Sequence, residues 1–431
     1  MSLPQTDIFS DLKWRGLIHQ TTDDSHLTSW LKTGCRTMYI GFDPTADSLH
    51  VGSLLQLMLL RRFQRAGHRP IALVGGATGM IGDPSGKSEE RNLLSVDALQ
   101  ANIAGIQEQM CRFLDFTGEQ AARLVNNFDW MKNYSYLDFL REIGKNFPVN
   151  VMLAKDSVKA RLQRTDAGLS YTEFSYMLLQ AYDFVYLNRH YGCELQIGGS
   201  DQWGNITAGI DLGRRMHGVP LYGMTSPLLL DSEGNKIGKT EGGTKVWLSA
   251  ARTSPYQFYQ YWLNLPDEDT GKCLRFLTEV AADEILALDT VRATAAAQRD
   301  SQRRLAEELT RLVHGEAGLQ TAQQATRILF GEEIANVSDE QLGDIFADVP
   351  STTCSWQQLD GAGLGLLEAL TASGLATSNG DARRALEQGG VYVNNRRISD
   401  QETRLTRHDL ASQSVLVLRR GKKRYALVRF A

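Results

Sequence analysis

Apolar positions fall into two kinds of run along this chain. Met38–Phe42, Pro70–Gly76 and Cys193–Ile197 are short and continuous and give way to Gly, Asp or Pro. That is the pattern of parallel strands covered on both faces. Arg123–Asn126 and Leu228–Leu230 read as shorter strands of the same kind. Longer runs lie between them. From Leu49 to Phe63 the chain carries Leu54, Leu55, Leu57, Met58, Leu59 and Leu60, a largely buried helix. Residues 1–33 look helical, with Trp14, Leu17, Ile18, Leu27, Trp30 and Leu31 as the buried set, and residues 92–145 read mostly as helices. Strand, helix and strand within about 40 residues make a βαβ unit, whose crossover is right-handed. The fold class expected is α/β, built on a parallel sheet.

The periodicity changes after residue 248. Ala293–Leu312 is rich in Ala, Arg, Gln and Glu and lacks Gly and Pro, so it is a strong helix former. Residues 249–330 are therefore expected to be an all-helical domain. Residues 331–361, with Asp348-Val-Pro-Ser-Thr-Thr353, read as a poorly packed linker. Residues 362–431 predict a small α+β domain: helices over Leu364–Ser373 and Ser378–Gln388, then strands over Gly390–Asn395, Val415–Arg419 and Tyr425–Phe430.

Composition adds little until it is divided. Over 431 residues, 42% hydrophobic and 22% charged positions are ordinary for a globular protein. The net charge of −4 hides an asymmetry: residues 361–431 hold 12 Lys/Arg against 6 Asp/Glu, a net of +6, which leaves −10 for the rest. A basic terminal module on an acidic body is an RNA-binding footprint. The five cysteines lie 76 to 82 residues apart, without zinc-ligand or CxxC spacing, and favour a reducing compartment. No apolar run approaches the ~20 residues that span a bilayer, and Met1–Gly16 lacks a signal or transit pattern. The expectation is a cytoplasmic protein with no membrane partner.

Four stretches carry candidate chemistry. The first, Tyr39-Ile-Gly-Phe-Asp-Pro-Thr-Ala-Asp-Ser-Leu-His-Val-Gly-Ser53, runs strand, turn, helix start. Helix starts leave N–H groups free for an anion, and Gly52 lets a nucleotide approach the backbone. A lone helix-start His50 is more often a cap, so the pattern needs a partner. That partner is Lys236-Ile-Gly-Lys-Thr240, two lysines three apart on a Gly-rich loop, suited to gripping and releasing a polyphosphate. Between them, Gly75–Lys87 invites two mistakes. A Walker A loop would need Gly at position 81, which is Ile81, and no register supplies Gly-x-Gly-x-x-Gly. The segment is better read as a strand-end loop bringing Asp83, Lys87 and Arg91 toward a ligand. In Tyr171–Asp183, Tyr176, Gln180 and Asp183 share one helical face. Inside the protein that stripe needs either a hydrogen-bond network or a small polar ligand. Gly198-Gly-Ser-Asp-Gln-Trp-Gly-Asn205 opens another helix and repeats the strand–glycine–helix logic, and Arg214-Arg215 closes it with charge that suits the helix dipole. The Trp130/Tyr134/Tyr136 cluster reads as packing.

The first stretch and the lysine loop together resemble the HIGH and KMSKS signatures of class I aminoacyl-tRNA synthetases. With Tyr39, Asp83, Tyr176, Gln180 and Asp183 the resemblance narrows to bacterial-type tyrosyl-tRNA synthetase, over nearly the whole chain. Asp381-Ala-Arg-Arg-Ala-Leu-Glu387 followed by Gly389-Gly-Val-Tyr-Val-Asn394 resembles the S4 RNA-binding domain. The resemblance implies a Rossmann-like catalytic domain over 1–248, an anticodon-binding helical domain over 249–330 and an S4-like module over 362–431. It implies L-tyrosine, ATP and tRNA(Tyr) as substrates, Mg2+ accompanying ATP, no prosthetic group, no protein metal site, and a homodimer. Residue by residue it puts the phenol between Tyr39 and Asp183, and the ammonium among Asp83, Tyr176 and Gln180. Thr45, His50, Lys87, Arg91, Lys236 and Lys239 fall at the catalytic, pyrophosphate end. Gly41, Asp43, Gly52, Gly199, Asp201 and Gln202, with Lys239, fall along the adenylate. Arg214, Arg215, Arg383 and Arg384 are candidate tRNA contacts. Three positions depart from the pattern: Ser53 replaces a second His, Ile40 a ribose-binding Cys, and Gly238 the third-position Ser of the loop. The rivals are tryptophanyl-tRNA synthetase, which shares the fold, a silent RNA-binding relative, and a nucleotidyltransferase activating another acid.

Overall fold

The computed structural model describes residues 7–84, 95–155, 158–159, 162, 169–240, 242–335, 337–347, 349–421 and 424–431. The chain divides into two compact units: residues 1–253 with 263–313, and residues 254–262 with 314–431.

The first unit is built on six strands: β1 (Gln20–Thr21), β2 (Thr37–Phe42), β3 (Arg69–Val74), β4 (Arg123–Asn126), β5 (Cys193–Gly199) and β6 (Tyr222–Ser226). Their order is β1-β6-β5-β2-β3-β4, all parallel except for β1, which lies antiparallel at the edge. From β2 the chain winds outward to β3 and β4, then returns to β5 on the other side. The order thus reverses between β2 and β5, and in open α/β sheets ligands bind at that point, beyond the carboxyl ends of the strands. The helix Val51–Arg65 returns from β2, with Leu54, Leu55, Leu57, Met58, Leu59, Leu60 and Phe63 all buried. The 21-residue helix Tyr171–Tyr191 is capped by the Ser170 hydroxyl, which accepts from Glu173 N, and closed by Gly192 in the left-handed region (φ 64°).

Three expectations for this unit change. Residues 8–32 form two helices, Ile8–Arg15 and Asp24–Lys32, around the short strand β1; Phe9 and Leu12 are buried while Trp14 faces outward. The last strand is Tyr222–Ser226, and Leu228–Leu230 contributes only a single bridge, Leu230 to Lys236. Pro227 separates the two, and a proline cannot donate to a ladder. The Ala-rich run is also interrupted. Helix Ala282–Ala295 ends in a 3-10 turn, Arg299 turns left-handed (φ 53°), and a new helix starts at Asp300. The Arg299 guanidinium donates to the carbonyls of Leu263 and Leu265 (2.9 and 3.1 Å), a tertiary contact that overrides propensity.

The second unit holds the strands β7 (Ser351–Cys354), β8 (Leu364–Gly365), β9 (Val391–Val393), β10 (Arg396–Arg397), β11 (Arg404–Leu405), β12 (Val415–Arg420) and β13 (Arg424–Phe430). Five of them form a sheet ordered β10-β9-β12-β13-β7, antiparallel except that β7 runs parallel to β13. Alternation along β12 covers both faces. Leu416 and Leu418 pack with the helices Leu366–Ala372 and Asn379–Glu387. Val415 and Val417 pack with Ile328, Leu342 and Phe346. Residues 331–361 are therefore not a loose linker among the described residues. They supply a capped helix, Asp339–Ile345, whose Leu342 and Ile345 are buried in the core of this unit, and the edge strand β7, which pairs with β13. Ser, Thr, Asp and Pro in that stretch are cap and edge residues, and composition alone reads those as linker.

Candidate active site

Beyond the carboxyl ends of β2, β3 and β5 lies a cleft of about 320 Å³. Its wall includes Tyr39, Gly41, Asp43, His50, Gly52, Asp83, Tyr176, Gln180, Asp183, Gly199, Asp201, Gln202 and Lys236, which span 198 residues of sequence. The structure thus brings together thirteen of the residues singled out above. Thr45 is exposed and outside this wall, and so is Lys239, three residues along the lysine loop from Lys236. Lys87 and Arg91 lie outside the described residues. Arg214 and Arg215 sit in the last turn of helix Trp203–His217, both paired to Asp211 (2.6 and 3.2 Å). Arg383 is exposed, and Arg384 is exposed 3.8 Å from Asp381.

At the buried end of the cleft Asp183 is 1% exposed. Its Oδ1 accepts from the Trp130 indole (2.9 Å) and its Oδ2 from Asn127 Nδ2 (3.0 Å). Asn127 is fixed in turn, donating to Thr78 Oγ1 (2.9 Å) and accepting from Ala77 N (2.7 Å). Burial raises the Asp183 pKa to about 7, against the two hydrogen bonds that lower it. Register pairs Tyr39 with Gln196 across β2 and β5, and paired residues of neighbouring strands face the same side. The Tyr39 hydroxyl and the Gln196 side-chain carbonyl are both buried with no hydrogen-bond partner. Desolvation, with the Asp183 charge adding to it, holds the Tyr39 phenol well above its ordinary pKa, so it stays a neutral donor. Buried orphans of this kind are rare, and a polar ligand would satisfy them.

A second polar group flanks the first. Asn205 Nδ2 donates to Gln180 Oε1 (3.0 Å), Gln180 Nε2 to Gln202 Oε1 (3.2 Å), and Gln202 Nε2 to Asp83 Oδ2 (2.8 Å). Each amide passes its donors one way, toward the buried Asp83 carboxylate.

At the mouth, His50 caps the helix Val51–Arg65, its Nδ1 accepting from Gly52 N (2.9 Å). A Cβ on Gly52 would stand 2.6 Å from the His50 ring, so only glycine allows the cap. An imidazole that accepts at Nδ1 carries its proton on Nε2 when neutral. The cap reading of His50 therefore holds. The lysine loop lies against the same helix start: Val51 N donates to Val246 O (3.0 Å), and Val246 N to Gly238 O (2.9 Å). Gly238 has φ 119°, and a Cβ there would come within 3.2 Å of Val51 and 3.3 Å of Gly52 N. The loop's third position thus has a backbone reason to be glycine.

Sequence reasoning missed Asn127, Gln196 and Asn205 and placed Trp130 in a packing cluster. The topology marks Asn127, the first residue past the carboxyl end of β4. The Trp130 indole is legible only through its partner, 53 positions away. Among the described residues no group of three or more His, Cys, Asp or Glu side chains is placed to hold a metal ion.

The family model for class I tRNA synthetases (W and Y) matches residues 32–331, and that for the tyrosine–tRNA ligase SYY-like C-terminal domain matches residues 341–428. The tyrosine–tRNA ligase of Rhodopirellula baltica is 62% identical over 422 residues, 98% of this chain and 96% of that one. The one from Roseiflexus castenholzii is 53% identical over 425 residues, 98% and 99% of the two chains. The chain belongs to the tyrosyl-tRNA synthetase family. The crystal structure of a C-terminally truncated Aspergillus nidulans mitochondrial tyrosyl-tRNA synthetase agrees in fold (TM-score 0.68, 29% identity, 75% of this chain and 94% of that one). The enzymes of this family activate L-tyrosine with ATP to tyrosyl-adenylate and pyrophosphate, then transfer the tyrosyl group to tRNA. The first family model spans tryptophan and tyrosine enzymes alike; the C-terminal match and the full-length relatives decide for tyrosine.

Proposed function

We propose that the buried end of the cleft holds the phenol of the substrate tyrosine, with Asp183 accepting a hydrogen bond from its hydroxyl and Tyr39 donating to its oxygen. The observation that carries this reading is Asp183, fixed by Asn127 and Trp130 beside a Tyr39 hydroxyl with no partner of its own. A phenylalanine there would leave the same groups unpaired, and that penalty is the source of selectivity. The substrate ammonium lies among Asp83, Tyr176 and Gln180, where the amide chain ends on a carboxylate.

The carboxylate of tyrosine then points toward the mouth, where an oxygen attacks the α-phosphorus of ATP. The new P–O bond forms as the bond to the β-phosphate oxygen breaks, and pyrophosphate leaves with the electron pair. No protein nucleophile is needed: the chain positions the reactants and stabilises charge. Gly41, Asp43, Gly52, Gly199, Asp201 and Gln202 line the adenylate's path. Thr45, His50, Lys87, Arg91, Lys236 and Lys239 serve the pyrophosphate end. Thr45 and Lys239 reach it from outside the cleft wall, as residues of segments that close on ATP. Mg2+ enters with ATP as part of the substrate, and no step here is routed through it.

tRNA(Tyr) is held by the helical segment 249–330 and by the S4-like module 362–431, whose net +6 supplies phosphate contacts. Arg214, Arg215, Arg383 and Arg384 are exposed or half-exposed and can contribute. A second copy of the chain is the partner for an apolar face on the helices Tyr136–Glu142 and Val149–Leu153, where Leu137 is 74% and Val149 58% exposed. The enzyme works in the cytoplasm: its cysteines are dispersed and free, and no helix among the described residues is long and apolar enough to cross a membrane.

The deciding experiment is pyrophosphate exchange run with each of the twenty amino acids. Exchange with tyrosine alone supports the pocket as drawn; exchange with tryptophan, or with none, overturns it.

A further inference from the structure

The lysine loop carries a third lysine that the two-lysine signature does not include. Thr240 N donates to Thr244 O and Gly243 N to Thr240 O (both 2.8 Å), which closes a tight hairpin. Lys239 and Lys245 form an antiparallel bridge across it. Residues directly opposite in such a pair point to the same face, with Cβ atoms about 5 Å apart. Both lysines are exposed, and neither makes an ion pair among the described residues. Like charges directly opposite destabilise a hairpin, and an anion bound between them turns the repulsion into attraction.

The strand bearing Lys245 is also the one fastened to the helix start. Val246 O accepts from Val51 N (3.0 Å), and Trp247 bridges to His50 and meets its ring edge-on at 6.0 Å. The Lys245 ammonium lies over the Trp247 ring at 5.3 Å. A cation on that ring is not needed for packing, because Arg252 already stacks there at 4.7 Å, anchored by Asp47 at 2.6 Å. Lys245 is therefore held on Trp247, the residue that bridges to His50, while remaining open to solvent.

We propose that Lys245 is a further phosphate-binding residue of the active site, gripping the β- and γ-phosphates of ATP together with Lys239 opposite it. The ammonium takes up charge that passes to the pyrophosphate as the α-phosphorus bond breaks, and transfers no proton. This rests on the reading that the loop lysines serve the pyrophosphate end.

The test is pyrophosphate-exchange kinetics on the full chain for Lys245→Ala, Lys245→Gln, Lys245→Arg and, in parallel, Lys239→Ala, with tyrosine affinity measured by equilibrium dialysis. For loss of one charge-assisted contact, KM for ATP and pyrophosphate should rise about tenfold in Lys245→Ala and Lys245→Gln alike. Tyrosine affinity should be unchanged, and Lys245→Arg should recover most of the loss. If Lys245→Gln behaves as the parent, because its stem still covers Trp247, the charge has no role and the proposal is overturned. If Lys239→Ala impairs exchange and Lys245→Ala does not, this proposal fails while the loop reading stands. If neither does, the loop reading itself fails.

Discussion

Asp183 sets two demands against each other. Its folded pKa of about 7 lies above the ordinary 3.8, so between those values the folded chain keeps a proton that the unfolded chain has lost. Stability contributed by that proton is present at low pH and drains away as pH rises through about 7. Tyrosine binding runs the other way. Trp130, Asn127 and the substrate hydroxyl are all donors, and a protonated carboxyl sets its own O–H against one of them and keeps only a weak acceptor on that oxygen. Tyrosine affinity is expected to rise by up to tenfold per pH unit from pH 5.5 toward 7 and to level off above it. Equilibrium dialysis across pH 5.5–8.5 reads this, and a flat profile would remove Asp183 from the phenol site. Asp183→Asn sets a buried N–H against one of the two donors, Trp130 or Asn127, so it should lower the melting temperature and weaken tyrosine binding by about 1–3 kcal/mol, with ATP affinity unchanged. Asp183 was readable in the sequence because a polar stripe on an apolar helix demands partners, and Tyr39, on β2, through the family pattern. The groups that orient them were not. Asn127 and Trp130 follow a four-residue strand with no motif, and only tertiary contact shows an indole to be a donor rather than a filler.

At the scale of the element, the loop Lys236–Lys245 works as a hairpin laid on a helix start. Lys236 lines the cleft, yet it lies far in sequence from the residues around the phenol. Lys236→Ala should therefore lower kcat for adenylate formation and leave the tyrosine KM little changed, the signature of a contact made in the transition state. A matching rise in tyrosine KM would make the loop a substrate clamp instead. Gly238 tests the hairpin's backbone without touching a charge. Alanine at φ 119° is strained by about 1–3 kcal/mol, and its Cβ presses on Val51. Gly238→Ala is expected to slow exchange by about tenfold or more with tyrosine affinity intact; parental exchange rates would show that the loop leaves the helix start before chemistry. The two lysines were legible from their spacing. The reason for the glycine between them was not, because it resides in the facing helix.

At the scale of the molecule, parallel strands announced themselves as apolar runs, whereas the second unit's β7 did not. An edge strand of Ser, Thr, Thr and Cys has no apolar signal, and its place depends on β13, which arrives 73 residues later. The consequence is a prediction about where the chain can be cut. Removing residues 362–431 leaves β7 without its neighbour and strips Leu342, Ile345 and Phe346 of Val415, Val417, Tyr425 and Leu427. Removing residues 332–431 takes those buried side chains away together and leaves little of that core behind, chiefly Ala325 and Ile328. The longer deletion is expected to give the better-behaved protein, with tyrosine-dependent exchange close to that of the full chain, since every residue assigned to tyrosine and ATP, Lys245 included, lies before residue 246. The shorter deletion should aggregate on concentration. Both should fail to charge tRNA, and the full chain should lose tRNA binding steeply between low and moderate salt as its phosphate contacts are screened. Gel filtration, exchange and charging of the two truncations side by side make the comparison. Parental charging by the longer deletion would mean that the basic tail is not an RNA module. A soluble, monodisperse 1–361 fragment would mean that the segment 339–354 folds without the sheet it joins.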